Sequence, residues 1–276
     1  MATVLENIIT GVREDLTERI NNTPLEEIQR QAQNQKPALE VLNYLRTQNA
    51  NTFSVIAEVK RASPSKGELG EIHDPAALAQ AYERGGASVI SVLTEQRRFK
   101  GTLNDLKTVR EHVNIPILRK DFIIDEYQIW EARAYGADLI LLIVAALDDQ
   151  TLKEFLELTH KLGMRALIET HTPEEIERAK TLGAHIIGVN VRNLKTLDVN
   201  NAHFAELAQL LPQDAVIIAE SGVSTAQDVT DYSLHGAQAV LVGEALVRSG
   251  EPENTVREFK QAGYTGRTQY LQQQNA

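Results

Sequence analysis

Residues 125–147 read DEYQIWEARAYGADLILLIVAAL, and two periods follow one another within them. From Asp125 to Ala137 the pattern is that of an amphipathic helix, while Leu139 to Leu147 is uninterruptedly apolar between Asp138 and Asp148. That apolar run is about half of the ~20 residues needed to cross a bilayer, so it predicts a buried strand rather than a membrane span. The joint between the two is Gly136-Ala137. Glycine accepts the left-handed conformation in which helices end, and the small alanine lets the chain turn back at once.

The same unit recurs along the chain. Gly86-Ala87, Gly183-Ala184 and Gly236-Ala237 each close a helical segment and lead into an apolar run, while Asp74-Pro75, Thr172-Pro173 and Ser224 mark helix starts. Eight runs read as strands: FSVIAEV from Phe53, SVISVL from Ser88, IPILRK from Ile115, LILLIV from Leu139, RALIE from Arg165, HIIGVN from His185, AVIIAE from Ala215 and AVLVG from Ala239. Continuous rather than alternating hydrophobicity marks parallel strands covered on both faces. Eight such repeats predict an α/β fold, a (β/α)8 TIM barrel over residues 51–276, as one domain with a helical extension over residues 1–50. The alternative is an open, doubly wound sheet. It is weakened because no Gly-x-Gly-x-x-Gly loop follows the first strand. The extension begins with a helix, and two helical stretches are expected around Glu26-Glu27 and Pro37, packed across one barrel mouth.

Composition narrows the function. The chain has 276 residues and no cysteine, which removes disulfides, thiol nucleophiles and thiolate metal sites. Its seven histidines show no metal-ligand spacing, so no metal site is expected. A net charge of −10 opposes nonspecific binding to nucleic acid or membrane. The N-terminus carries Glu6, Glu14 and Asp15 and lacks an apolar core, so a cytoplasmic location is expected. A small-molecule partner and a monomer or weak homo-oligomer are separate expectations, which the N-terminus does not decide. The acidity is uneven. Residues 51–123 hold 11 Lys and Arg against 9 Asp and Glu, which leaves the first three strands slightly basic.

Barrels of this type carry their chemistry at the C-terminal ends of the strands. Reading those ends gives Glu58 and Lys60 after the first strand, Lys120 after the third, Glu169 after the fifth, Asn190 and Arg192 after the sixth, and Glu220 after the seventh. Charges there are costly to desolvate unless paired, so the set points to a working site; any one alone reads equally as a structural ion pair at the rim. Ser221 and Gly222 after the seventh strand and Gly243 after the eighth form the pattern of a barrel phosphate site. The segment 56–67, IAEVKRASPSKG, puts Glu58 and Lys60 on one face by the period of two and continues into a polar loop with Ser63.

In this order and at these strand ends, IAEVKRASPSKG, SVLTEQRRFKGTL, ILRKDFIIDEYQI, LLIVAAL, ALIETH, IIGVNVRNL, IIAESGV and VLVGEAL resemble the indole-3-glycerol phosphate synthase family. The resemblance implies ring closure, decarboxylation and dehydration of 1-(2-carboxyphenylamino)-1-deoxyribulose 5-phosphate, with no cofactor. It also implies roles. Lys120 is the principal general acid, Glu169 the general base and Lys60 an ammonium holding the substrate carboxylate with a share of the acid work. Glu58 orients Lys60, and Asn190 and Glu220 hold the substrate. Ser63, Ser221, Gly222 and Gly243 contact the phosphate, with the carboxylate of the following Glu244 turned away. Phe99, Phe122, Leu141 and Leu194 form the aromatic wall, although Leu141 reads equally as barrel core. Arg192 is a possible anchor whose plainer reading is a rim salt bridge. Trp130 reads as helix packing. Two rival readings are another phosphate-binding barrel enzyme such as phosphoribosylanthranilate isomerase, which would be expected to use a Cys or Asp acid/base pair, and a noncatalytic phosphate-metabolite binder, which would have a disabled charged set. Neither fits the intact Lys60, Lys120 and Glu169.

Overall fold

The computed structural model of the chain describes residues 3–275. Eight strands close into a parallel barrel: β1 (Ser54–Val59), β2 (Val89–Leu93), β3 (Ile117–Lys120), β4 (Leu139–Ile143), β5 (Arg165–Thr170), β6 (Ile186–Asn190), β7 (Val216–Glu220) and β8 (Ala239–Val242), with β8 paired back to β1. Seven lie within the runs expected for them, and β5 extends one residue past its run, to Thr170. All four Gly-Ala joints behave as read, with φ of +91° at Gly86, +89° at Gly136, +75° at Gly183 and +99° at Gly236. Asp74 accepts from the amides of Ala76 and Ala77, and Thr172 from that of Glu175, each capping its helix. Ser224 does not cap. Thr225 takes that place in a capping box with Asp228, whose carboxylate also accepts the Ser224 amide.

Alternation along the strands divides the core in two. One set, including Val55, Ala57, Val59, Ile90 and Val92, packs against the surrounding helices. The other, including Ile56, Leu118, Leu139, Leu141, Leu167, Ile218 and Leu241, fills the barrel. Because side chains repeat every second residue, each inward stripe that is apolar at its start runs on to the site: Ile56 to Glu58, Leu118 to Lys120, Leu167 to Glu169, Ile186 to Asn190 and Ile218 to Glu220.

The N-terminal extension comprises α1 (Val4–Asn22), α2 (Leu25–Gln33) and α3 (Val41–Asn51). It serves both mouths rather than one. Val41, Leu42 and Leu45 of α3 join the interior core beside Val89, Leu139, Ile186 and Ala239 and close the barrel floor. The start of α1, with Val4, Leu5 and Ile8, reaches the opposite mouth. Between these, Leu16, Ile28 and Ala32 pack on Tyr127, Ala134 and Trp130 of the helix Glu126–Ala134, so Trp130 does serve packing. Pro37 is not helical. It lies in the extended link before α3, where Leu39 donates its amide to the buried Asp138.

Two further elements stand outside the barrel repeat. Ala62–Ser63 pairs antiparallel with Gly67–Glu68 in a short hairpin after β1, where a plain loop was expected. The helix Pro252–Gln274 follows the last repeat and buries Val256 and Phe259. Among the described residues no helix is long and apolar enough to cross a membrane.

The floor assignment is open to test through Leu45, which is fully buried. Leu45→Ala is expected to cost about 2–5 kcal/mol as a core truncation. The melting temperature should fall by several degrees, whereas Leu39→Ala, at a position 38% exposed, should leave it nearly unchanged. Equal melting temperatures for the two variants would remove α3 from the core.

Candidate active site

The expected residues converge on one cavity of about 770 Å³ at the C-terminal mouth. Glu58, Lys60, Ser63, Phe99, Lys120, Phe122, Leu141, Glu169, Asn190, Arg192, Leu194, Glu220, Ser221, Gly222 and Gly243 all line it. Lys66 and Asn201 line it too, together with Val4, Leu5 and Ile8 from α1.

Lys120 stands at its centre. Its Nζ donates to Glu220 Oε2 at 2.8 Å and to Glu169 Oε2 at 3.1 Å. Burial works against the ammonium, but the charges of Glu169, Glu220 and Glu58 outweigh it and hold its pKa above the ordinary lysine value. The two glutamates divide. Burial also raises the pKa of a carboxylate, and at Glu169 this is overcome by Lys120 and by His171, so Glu169 is held below the usual carboxylate range. At Glu220 burial wins, aided by repulsion from Glu169 and opposed by Lys120, and its pKa is pushed up. The arrangement is therefore one ammonium, one firm carboxylate and one carboxyl that keeps its proton more readily.

The remaining groups stand around this centre. Lys60 pairs with Glu58 at 2.6 Å, and the same carboxylate takes a longer bond from Ser91 at 3.4 Å. Asn190 Oδ1 accepts from the Ser221 hydroxyl at 2.8 Å and from the Arg192 amide at 3.1 Å. Phe99 and Phe122 stand with ring centroids 6.1 Å apart at an interplanar angle of 41°, a tilted pair that leaves an apolar face towards the cavity. Leu141 answers both of its readings, since it belongs to the barrel core and also lines the cavity.

Ser221 and Gly222 both have positive φ, +68° and +76°. Tyr232 donates to the Ser221 carbonyl at 3.1 Å and Asn201 to that of Gly222 at 3.0 Å, which fixes this turn from behind. Glu244 follows Gly243 at the mouth, and its carboxylate meets Arg248 at 3.1 Å. Arg192 forms no ion pair among the described residues, contrary to the rim salt bridge taken as its plainer reading. It donates to the Leu197 carbonyl at 2.9 Å and to Ser65 at 3.2 Å, tying the loop after β6 to the loop after β1.

Arg119, beside Lys120 in sequence, faces the other way. Arg119 is fully buried between Asp121 and Glu131 at 2.9 Å each, and Glu131 also receives Arg19 of α1 at 2.8 Å. The strand that presents Lys120 is thus anchored to the N-terminal extension.

Two residues at the site escape sequence reasoning. His171, next to Glu169, has side-chain exposure of 9% and lies between the carboxylates of Glu169 and Glu175. Gly188 lies inside β6, where a side chain would collide: a Cβ there would stand 2.0 Å from Glu220 Oε1. A glycine within an apolar strand signals such a close approach, and IIGVN carried that signal.

Comparison with known proteins bears on this geometry. Residues 5–259 match the family described as Indole-3-glycerol phosphate synthase. The chain is 57% identical to the indole-3-glycerol phosphate synthase of Paenarthrobacter aurescens over 95% of its own length and 97% of that protein. It is 58% identical to that of Micrococcus luteus, over 96% and 99%. Among solved structures, 3-hexulose-6-phosphate synthase from Salmonella typhimurium superposes with a TM-score of 0.61 at 17% identity, covering 79% of this chain and 99% of that one. That similarity speaks to the barrel alone.

Gly188→Ala tests the arrangement around Lys120. The added methyl must push the Glu220 carboxylate off the ammonium, so turnover at saturating substrate is expected to fall about tenfold or more, some 1.4 kcal/mol of barrier, with the fold retained by circular dichroism. Undiminished turnover would mean that the contact between Glu220 and Lys120 is dispensable.

Proposed function

The chain belongs to the indole-3-glycerol phosphate synthase family, carboxy-lyases of tryptophan biosynthesis, and on that premise we propose how its residues divide the reaction. The substrate, 1-(2-carboxyphenylamino)-1-deoxyribulose 5-phosphate, must close a ring, lose carbon dioxide and lose water. Its three parts ask for different surroundings: an apolar wall for the aromatic ring, cations for the carboxylate, and close backbone for the phosphate. We assign each to different residues of the cavity lining.

The aromatic half lies against Phe99, Phe122, Leu141 and Leu194, the carboxylate near Lys60, and the phosphate at Ser63, Ser221, Gly222 and Gly243. Support for the phosphate sector comes from the way Tyr232 and Asn201 hold the carbonyls of the turn after β7. Arg192, held by Ser65 and Leu197 at the cavity wall, is an anchor for the substrate's charged groups.

Ring closure joins the carboxylate-bearing ring carbon to the ketone carbon and puts negative charge on the ketone oxygen. An ammonium has three N–H donors, and Lys120 commits two of them to Glu169 and Glu220, which leaves one for that oxygen. An alkoxide is far more basic than a lysine, so a raised pKa does not prevent the transfer, and the charged lysine also stabilises the oxyanion as it forms. Lys120 is the general acid. Departure of carbon dioxide then returns the electron pair to the ring. Dehydration needs an acid for the leaving hydroxyl and a base for the proton lost beside it; Glu169, held ionised, is the base, and Lys60, oriented by Glu58, shares the acid role. Asn190 and Glu220 fix the geometry, the first through Ser221 and the second through Lys120. The single observation carrying this reading is the buried Lys120 between Glu169 and Glu220.

We place the protein in the cytoplasm as a monomer or weak homo-oligomer, acting on this small phosphorylated substrate and on neither nucleic acid nor membrane.

Indole formation changes fluorescence and gives a continuous assay. Full-length protein is expected to turn over the carboxyphenylamino-deoxyribulose phosphate in the presence of a chelator, and Lys120→Ala to lose about 10²–10⁴-fold in kcat while remaining folded. Glu169→Gln should lower kcat far more than it alters KM. Full activity of Lys120→Ala would overturn the acid assignment, and a Glu169→Gln variant changed only in KM would make Glu169 a binding residue.

A further inference from the structure

His171 touches the site without lining its cavity. It follows β5, two residues beyond Glu169, where the chain leaves the strand and Thr172 caps the helix Pro173–Thr181. Its backbone amide donates to Glu175 Oε2 at 2.7 Å, and its Nδ1 lies 3.1 Å from the same oxygen. Its Nε2 lies 3.4 Å from Oε1 of Glu169. Lys120 meets the other oxygen of that carboxylate, Oε2, at 3.1 Å. Glu169 therefore stands between two basic groups, an ammonium in the cavity and an imidazole behind it.

We infer that His171 is a positioning residue for Glu169, held as an imidazolium by Glu175 and keeping the Glu169 carboxylate ionised and aimed into the cavity. The inference rests on Glu169 acting as base. Its physical reason lies in the order of proton transfers. Once Lys120 has given its proton to the ketone oxygen it is neutral, and Glu169 loses the cation that suppressed its own protonation. A second cation that takes no part in that transfer preserves the base for the step that needs it. Burial disfavours a charged imidazole, but Glu169 and Glu175 overcome this and raise its pKa to about 10, so the cation persists at neutral pH. The charged groups facing Glu169 are Lys120 from β3, Glu220 from β7 and His171; those facing His171 are Glu169 and Glu175.

The sign of the effect is fixed. Removing a positive neighbour makes Glu169 easier to protonate, so its pKa rises. Steady-state kinetics of the full-length protein across acid and neutral pH compare wild type with His171→Gln and Glu175→Gln. His171→Gln is expected to lower kcat roughly tenfold or more and to move the acid limb of the kcat profile up by about one pH unit or more, with KM little changed. Glu175→Gln, which keeps the imidazole but loosens its outer hold, should move the limb in the same direction by less. A purely structural role would lower kcat evenly at every pH. An acid limb unmoved in both variants overturns the inference, and if His171→Gln does not fold, Glu175→Gln decides alone. Glu169→Gln separates the two readings. If it keeps turnover, the base assignment itself fails; if it is inactive while the limb stays fixed, only the role of His171 fails.

Discussion

An ammonium group removed from water stays charged only when carboxylates stand beside it, and the site depends on that constraint at Lys120. Deprived of partners, a buried lysine loses its proton and with it the ability to act as an acid at neutral pH. Glu169 and Glu220 prevent this, but two carboxylates close together repel, so one of them yields and keeps a proton more readily. The ammonium and the ionised Glu169 therefore come as a pair, an acid and a base generated by the same contact. Gly188 is part of this arrangement although it bears no side chain, because any larger residue would occupy the space of the Glu220 carboxylate.

The barrel makes the contact possible by geometry. Side chains alternate along each strand, and the same inward stripes that build an apolar floor arrive at the mouth as Glu58, Lys120, Glu169, Asn190 and Glu220. The floor is sealed by α3, and the mouth is partly walled by the start of α1, so the extension braces the barrel from end to end. Two ion-pair systems tie α1 to the mouth: Arg19 through Glu131 to Arg119, and Asp15 and Glu14 to Arg97. The second bears on the proposed aromatic wall. Arg97 lies in the loop that carries Phe99, and Glu95 gathers that loop by accepting the amides of Arg97, Arg98 and Phe99.

Much of this was legible in the sequence because it follows from local rules. Strand positions came from continuous apolar runs, and helix ends from Gly-Ala joints whose positive φ no other residue adopts as easily. The charged set was visible because charges at the ends of apolar strands demand partners. What was not legible depends on contacts distant in sequence. The meeting of His171 with Glu169 and of Gly188 with Glu220 requires the strand register. The floor role of α3 depends on which mouth it reaches. Pro37 read as helical because its surroundings are polar and unpunctuated, yet its segment is an extended link held by Asp138. Arg192 read as a rim salt bridge because charge invites a countercharge, whereas a carbonyl and a hydroxyl satisfy it.

Proton occupancy at the three central groups can be measured directly. In protein labelled with carbon-13 at the lysine Cε and glutamate Cδ positions, with resonances assigned through Lys120→Met, Glu169→Gln and Glu220→Gln, a pH titration by nuclear magnetic resonance follows each group. Lys120 should stay protonated beyond the ordinary lysine pKa of about 10.4, Glu169 should remain ionised to the lowest pH at which the protein is folded, and Glu220 should release its proton well above the usual carboxylate range. A Lys120 that titrates below the ordinary lysine value, or a Glu220 ionised at the same pH as Glu169, would contradict the account.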